Sequence, residues 1–152
     1  DTRDKKAIEE NLYYDNIGPE YSAIDNKFTK TINNSKFKRE LVDKFGSHFN
    51  DLVEMELKSF DEKIVDILKI ENTIKNRYRT LLANAKIEFD GKILNLTGLT
   101  PYMQSTNREE RKSAYKKLDE FFKNNSQELD IIFDRLVQLR NQKAKILLTL
   151  YS

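Results

Sequence analysis

Apolar residues recur every three or four positions along most of the chain, which is the spacing of one face of an α-helix. Within residues 2–32 this spacing predicts two helices. The Gly18-Pro19 pair separates them, because proline is tolerated in the first turn of a helix, where its missing N–H is not needed. One face of the second helix is marked by Tyr21, Ile24, Phe28 and Ile32.

Turn-forming residues predict the boundaries of the next helices. Asn33-Asn34 ends the second helix, and Ser35 is a favourable N-cap for a short helix that reaches Phe45. Gly46 suits the left-handed conformation that often follows a helix, since glycine has no Cβ to clash there. Ser47 is the predicted N-cap of the helix after it.

The most regular helix begins after Asp61, its predicted N-cap, and is expected to run for about 24 residues, or ~36 Å. Its apolar positions form one broad stripe, as is typical of a helix that packs on one side. The stripe contains Ile64, Ile67, Leu68, Ile74, Tyr78, Leu81, Leu82 and Ala85.

Near residue 86 the period of the pattern changes from 3.6 to 2. Ile87, Phe89 and Ile93, with Leu94 or Leu96 as further candidates, flank Asp90-Gly91, a dipeptide that strongly favours a two-residue hairpin turn. A hairpin over residues 86–96 is the only β-structure that we expect, and it must lean on helices because two strands alone are marginally stable.

The last third of the chain is again helical. We expect a linker over residues 97–101, one helical turn at Tyr102-Met103, and then a long segment capped by Ser105, Thr106 or Asn107, with Glu109 and Glu110 in its first turn. Asn124-Asn125-Ser126 favours a break in that segment. Two series of residues spaced by seven positions run through residues 115–146, which is the spacing of a coiled coil, and they are apolar except at Asn125 and Lys143.

The pattern therefore predicts an all-α fold, an elongated multi-helix array with one small hairpin, in a single domain over residues 1–152. Composition adds that the core is thin, because hydrophobic residues make up 38% of the chain and charged residues 34%. The net charge of +2 indicates no nucleic-acid partner, and no apolar run is long enough to span a membrane.

Candidate catalytic chemistry is sparse. The chain has no cysteine and one histidine, His48, for which a surface or capping position is expected. Glu54 with Glu56 and Asp61 with Glu62 are paired carboxylates, but with 25 acidic residues spread over helices a solvated role is favoured. We assign no catalytic, cofactor-binding or metal-binding residue to the chain.

Two further sets of residues are predicted to be structural. The lysines of the last third alternate with Glu109, Glu110, Asp119 and Glu120, which favours ion pairs along an exposed helix rather than a phosphate-binding surface. These lysines are Lys112, Lys116, Lys117 and Lys123. Half-buried packing is expected for Tyr13, Tyr14, Tyr21 and Tyr78.

The order and spacing of several short stretches, most of them between Lys86 and Leu147, carry a family resemblance. They include residues 89–92, 99–105 and 134–144, the residues Arg108, Arg111, Lys112, Ala114 and Tyr115, Phe121-Phe122, and upstream residues 1–4, 54–58 and 81–85. Together they resemble the N-terminal, non-catalytic region of oligoendopeptidase F-like zinc metallopeptidases.

The resemblance implies a piece of a larger, mainly helical, cytoplasmic peptidase that encloses a channel and cuts short peptides. Zinc in such enzymes is held by an H-E-x-x-H helix and a downstream glutamate. This sequence contains no H-E-x-x-H, so the 152-residue chain alone is expected to be inactive. Its implied partners are the missing catalytic domain of the same protein and short peptides, and the hairpin at Asp90-Gly91 is expected to face the channel.

Two features suggest that the chain is a fragment. It starts inside what the family would make a continuing helix, and after Leu147 it departs from the family pattern. The apolar Ile146-Leu147-Leu148 and the thin core lead us to expect surface that a missing domain covers, and therefore self-association of the fragment.

A second interpretation belongs to another class of protein. The heptads of residues 115–146 would suit a stand-alone interaction module that dimerises as a coiled coil.

Removing residues 1–60 separates the two interpretations. A coiled-coil dimer keeps its cooperative thermal unfolding without them, whereas a helical array loses it because the partner helices are gone. We expect the loss, measured by circular dichroism on the truncated chain. A sharp melting transition that depends on protein concentration would contradict the helical array.

Overall fold

A computed structural model describes residues 4–149 of the chain. That range is all-α with one small antiparallel hairpin and is 83% helical, so the predicted fold class is confirmed. The predicted helix start at Thr2 and the end of the chain after Thr149 lie outside the described residues. The elements are α1 (Lys5–Asn33), α2 (Lys38–Phe45), α3 (Ser47–Ser59), a 3₁₀ turn (Glu62–Ile64), α4 (Val65–Ala83), β1 (Ile87–Phe89), β2 (Lys92–Leu94), α5 (Leu96–Met103), α6 (Arg108–Asn124) and α7 (Ser126–Thr149).

Backbone contacts divide the chain into two compact units. The first contains residues 4–73 and 137–149 of the described range, and the second contains residues 74–136. Helices α4 and α7 each contribute residues to both units. The single domain over residues 1–152 stays a prediction.

In the first unit, α1 continues through Gly18-Pro19, so the prediction of two separate helices was wrong. Asp4 caps α1 by accepting a hydrogen bond of 2.9 Å from the backbone N–H of Lys6. Pro19 cannot donate a hydrogen bond to the carbonyl of Asp15, one turn earlier. The side-chain amide of Asn72 donates to that carbonyl instead, at 3.0 Å. A tertiary contact thus compensates for the proline.

Polar groups attach one face of α1 to the rest of its unit. Besides the Asn72 contact, the ammonium of Lys69 binds Glu20 at 2.6 Å and the amide of Asn26 donates to the carbonyl of Phe60 at 3.2 Å. The order of these contacts shows that α1 runs antiparallel to residues 60–72. Asn26, which is 2% exposed, is among the buried polar residues of the described range. We call these contacts, with the Lys30–Asp61 pair described below, the polar ladder of α1.

The apolar residues of α1 lie mostly outside this attachment. Tyr14, Tyr21, Ile24 and Phe28 are 59–67% exposed. Half-buried packing of Tyr13, Tyr14, Tyr21 and Tyr78 was therefore wrong for the first three, while Tyr78, at 42% exposed, comes nearest to it. The physical reason is that the buried face of α1 is polar, so its aromatic residues point away from their own unit.

Two predicted serine caps differ from the observed turns. Phe37 precedes α2, and Ser35 instead accepts a hydrogen bond of 3.2 Å from the backbone N–H of Phe37, inside the turn. Gly46 takes the N-cap position of α3, which makes Ser47 the first residue of that helix. The predicted positive φ of Gly46 is confirmed at 86°, but its ψ of 167° is extended rather than left-handed helical.

Asp61 is an N-cap, as predicted, but it caps the 3₁₀ turn from which α4 continues. Its carboxylate accepts a hydrogen bond from the backbone N–H of Lys63 at 3.0 Å. Further along α4, the buried Glu71 binds Arg140 and Lys143 of α7, each at 3.3 Å. A buried carboxylate between two cations satisfies its charge without water, so these contacts hold α4 and α7 together within the first unit.

The second unit packs the hairpin against α5 and α6. Its buried centre consists of Ile87, Leu99 and Ala114, and Phe89, Leu94 and Phe121 are among the residues packed around it. Asp90 and Gly91 have φ of 50° and 67°, so the predicted hairpin turn is confirmed. Ile87 pairs with Leu94, so it is Leu94 that shares the buried face of Ile87, whereas Ile93 is 70% exposed.

Residues 97–101 are helical, so the predicted linker was wrong. The side chain of Asn95 accepts a hydrogen bond of 2.7 Å from the N–H of Gly98 and caps α5. Leu99 is fully buried and holds this helix to the core. Of the three predicted candidates for the cap of α6, Asn107 is the one that caps it, and Glu109 and Glu110 occupy its first turn, as predicted.

The predicted break near Asn125 is confirmed, because α6 ends at Asn124 and α7 begins at Ser126. The break interrupts both heptad series. Ile132 and Leu139, which would form the seam of a coiled coil, are 3% and 1% exposed in the single chain. A coiled-coil dimer through residues 115–146 is therefore not favoured.

The hydrogen bond between Asn72 and the Asp15 carbonyl is expected to contribute to the free energy of unfolding, because Pro19 cannot supply a backbone N–H to that carbonyl. Asn72→Ala removes the donor and is expected to cost about 1 kcal/mol of unfolding free energy. In the Pro19→Ala background the cost falls to less than about half of that, because the substituted alanine supplies a backbone N–H one turn after Asp15. Urea unfolding of the four chains measures this coupling, and equal costs in both backgrounds would contradict it.

Candidate functional site

His48 and the paired carboxylates are not assembled into a catalytic group. His48 is the second residue of α3 and is exposed, which agrees with the predicted surface position. Glu54 accepts a hydrogen bond from Asn50 at 2.9 Å, and Glu62 forms an exposed ion pair with Lys27 at 3.4 Å. These are ordinary contacts of helix surfaces.

Asp61 is engaged in structural contacts. Lys30 of α1 donates to its carboxylate at 3.1 Å, and the backbone N–H of Lys63 donates at 3.0 Å. Burial raises the pKa of this carboxyl, but the hydrogen bonds from Lys63 and Lys30 outweigh burial and lower the pKa below its usual value. A general acid requires the opposite shift, so Asp61 is suited to a fixed negative charge.

Two of the four lysines for which pairing was predicted, Lys117 and Lys123, form ion pairs with acidic residues of α6. Lys123 binds Asp119 at 2.6 Å and Lys117 binds Glu120 at 2.8 Å. The hydrogen bond between the last two raises the pKa of Lys117 and lowers the pKa of Glu120. Both groups are partly exposed and remain ionised at neutral pH, so this surface is an ion-paired helix.

The hairpin is the most distinctive feature of the second unit. The rings of Phe89 and Tyr102 pack with their centroids 4.8 Å apart, and Lys92 donates to the Tyr102 hydroxyl at 3.4 Å. That hydrogen bond, with the nearby Asp90 carboxylate, raises the pKa of Lys92. The tip is thus held by α5 while Ile93 stays exposed on the other face.

A cavity of about 620 Å³ opens next to the hairpin and was not foreseen. Its walls come from α4, β1, α6 and the start of α7, all in the second unit. Arg77 holds Glu128 there through two hydrogen bonds, one of them 2.6 Å long, and the Lys117–Glu120 pair lines another side. Arg77 and Glu128 lie 51 positions apart, so no local pattern could have indicated their pairing.

No group of three or more histidine, cysteine, aspartate or glutamate residues within residues 4–149 could hold a metal ion. The assignment of no catalytic, cofactor-binding or metal-binding residue stays a prediction. No helix among the described residues is long and apolar enough to cross a membrane.

Comparison with known proteins relates the chain to one family of peptidases. The family model described as the Peptidase M3 N-terminal domain matches residues 1–60. A search of curated proteins found no match.

Three solved structures match 97% of the chain. A protein from Bacillus anthracis strain Ames, described as an oligoendopeptidase F, is 36% identical with a TM-score of 0.89. PZ peptidase A with an inhibitor is 33% identical with a TM-score of 0.90, and a second structure described as an oligoendopeptidase F gives the same two values. The chain covers 27% of the first of these proteins and 26% of each of the others.

In sequence and fold, the chain resembles the N-terminal region of M3 peptidases. Within that class it is oligoendopeptidase F-like, as the resemblance in its sequence predicted.

The hairpin turn depends on Gly91, whose φ of 67° is unfavourable for residues with a Cβ. Gly91→Ala is therefore expected to lower the unfolding free energy by about 1 kcal/mol. Gly18→Ala is the control, because Gly18 is helical and, apart from its two neighbours in the chain, an added Cβ meets nothing within 4 Å.

In a helix, alanine is favoured over glycine by up to about 1 kcal/mol. Gly18 precedes Pro19, however, and the ring of a proline disfavours a Cβ on the helical residue before it, so the two effects offset and Gly18→Ala is expected to change stability little. In thermal unfolding, Gly91→Ala should lower Tm while Gly18→Ala leaves it nearly unchanged. A Gly91→Ala chain as stable as the unmodified one would contradict the turn conformation of the hairpin.

Proposed function

We propose that this chain is the N-terminal helical segment of a zinc-dependent oligoendopeptidase that hydrolyses short peptides, and that it forms part of the wall of the substrate channel. The observation that carries the proposal is the likeness of 97% of the chain to PZ peptidase A at 33% identity and a TM-score of 0.90. The segment supplies enclosure and no catalytic group.

The residues present do not fit a zinc site. The sequence has one histidine and no cysteine, and residues 4–149 contain no cluster of metal ligands. Zinc binding and peptide hydrolysis are therefore proposed for the part of the parent protein that this chain does not cover. The partners are that catalytic region and short peptides, and the proposed location is the cytoplasm.

The packing of the second unit supports the wall function. Its hairpin is fixed to α5 by the contact between Phe89 and Tyr102, and its turn leaves Asp90, Lys92 and Ile93 exposed. A hairpin supported in this way can line a channel without collapsing into it. A rigid wall admits extended peptides and excludes folded proteins, so the segment selects substrates by size.

A chimera tests this proposal. In it, the matched N-terminal region of PZ peptidase A is replaced by this chain, and cleavage of a short fluorogenic peptide is measured with zinc present. We expect the chimera to exceed PZ peptidase A without that region by at least about tenfold in kcat/KM, because enclosure positions the peptide. The isolated 152-residue chain, as control, is expected to cleave nothing.

Size selection needs a second readout from the same proteins. The chimera is expected to cleave the short peptide while leaving a folded protein substrate intact. A folded, zinc-loaded chimera that is no more active than the truncated enzyme would contradict the proposal. Zinc-dependent cleavage by the isolated chain would contradict it as well.

A further inference from the structure

Helix α1 has two faces of opposite character, and its polar face is the one that contacts the first unit. Asp15, Pro19 and Asn26 lie on that inner face, together with the buried Thr29. At 100° per residue, they cluster on one side of the helix. An isolated amphipathic helix normally buries its apolar face, so α1 is inverted with respect to its own unit.

The apolar side of α1 carries four exposed large side chains, while Ile17 and Ile32 on the same side are half-buried. We call the exposed four the outer stripe and define it as Tyr14, Tyr21, Ile24 and Phe28, which are 67%, 59%, 60% and 66% exposed. Its residues are separated by seven, three and four positions, and their mean direction lies about 140° from that of the inner face. The stripe spans ~21 Å along the axis.

Charged residues flank the outer stripe without interrupting it. Glu20 and Lys27 lie on one side by helical position, and Asp25 lies on the other. An apolar row with a charged rim is the arrangement of an interface, in which the rim stays wet while the centre is buried. Helix α1 is already attached by its other face, so the solvent exposure of these four large side chains does not stabilise the unit. Exposed apolar side chains that lie close together are typical of an interaction site.

We propose that the outer stripe of α1 docks onto the catalytic region of the parent peptidase. This inference rests on the proposed function, and it specifies the surface through which the segment contacts the catalytic region. About three quarters of the length of each matched structure lies outside the part that corresponds to this chain, so relatives contain ample protein to cover the stripe.

The size of the stripe favours an attached partner over a separate one. Its four side chains expose on the order of 400 Å², taking 150–250 Å² for a fully exposed aromatic side chain. A stable complex between separate proteins buries about 800 Å² on each side. A partner in the same polypeptide needs less, since its effective concentration can reach the millimolar range.

The stripe also indicates what kind of surface receives it. Three of its four members are aromatic, and two of these are tyrosines whose hydroxyls require polar partners when buried. The receiving surface is therefore a shallow apolar groove with hydrogen-bond acceptors at its rim. Tyrosine and phenylalanine fix few rotatable bonds on docking, so their ordering costs little entropy.

Phe28→Glu tests the docking, because it places a charge in the stripe without changing the inner face. Phe133→Glu is the matched control: Phe133 is also a helical phenylalanine, it is 69% exposed, and it lies outside the stripe. Each variant is made both in the isolated 152-residue chain and in the chimera with PZ peptidase A, and thermal unfolding is measured for all of them.

In the chimera we expect Phe28→Glu to lower Tm by at least about 3 °C more than Phe133→Glu. In the isolated chain we expect both variants to leave Tm unchanged within about 1 °C, because both side chains are exposed there. Equal effects of the two variants in the chimera would overturn the proposal. So would a large loss in the isolated chain, which would place Phe28 in the packing of its own unit.

Analytical ultracentrifugation of the isolated chain tests the alternative that the outer stripe binds a second copy of the same chain. We expect any weak self-association to be reduced by Phe28→Glu, with no stable dimer at micromolar concentration. A stable dimer that Phe28→Glu dissociates would overturn the proposal in favour of self-association. If the unmodified chimera is inactive, the proposed function fails, whereas an active chimera that tolerates Phe28→Glu rejects the docking surface alone.

Discussion

The attachment of α1 through polar groups is the constraint on which the first unit depends. The contacts from Asp15 to Asn72 and from Lys30 to Asp61 fix the direction and the rotation of a 29-residue helix. A hydrogen bond has a defined partner, so these contacts select one register where a purely apolar face would permit sliding. The same rotation points the outer stripe away from the unit.

This constraint explains why the core of the described residues is thin. Its fully buried large side chains are Ile64, Leu99 and Leu139, and the aromatic residues of α1 contribute little to it. Because much of its apolar surface is exposed rather than buried in a core, the chain must be stabilised by interactions other than apolar packing. Caps such as Asp61 and Asn107 and the buried Glu71 with its two cations supply those interactions.

Local signals predicted the fold well and tertiary arrangements poorly. Asp90-Gly91 and the cap at Asn107 act on residues within a few positions, so the sequence alone indicates them. The passage of α1 through Pro19 depends on Asn72, which lies 57 positions from the Asp15 carbonyl that it binds. Periodicity likewise found the apolar face of α1, but it does not distinguish a face that packs within the chain from one that faces outwards. We assigned no catalytic or metal-binding residue because the sequence has one histidine and no cysteine. The cavity beside Arg77 could not be predicted, because it depends on the pairing of Arg77 with Glu128, which only the fold brings together.

The orientation of α1 can be measured directly by NMR of the isolated chain with a soluble paramagnetic agent, which broadens signals in proportion to their access to solvent. We predict strong broadening of the ring signals of Tyr21 and Phe28, and little broadening of the side chains of Asn26 and Thr29. The reverse pattern, with protected rings and accessible polar side chains, would contradict the polar ladder and the outer stripe together.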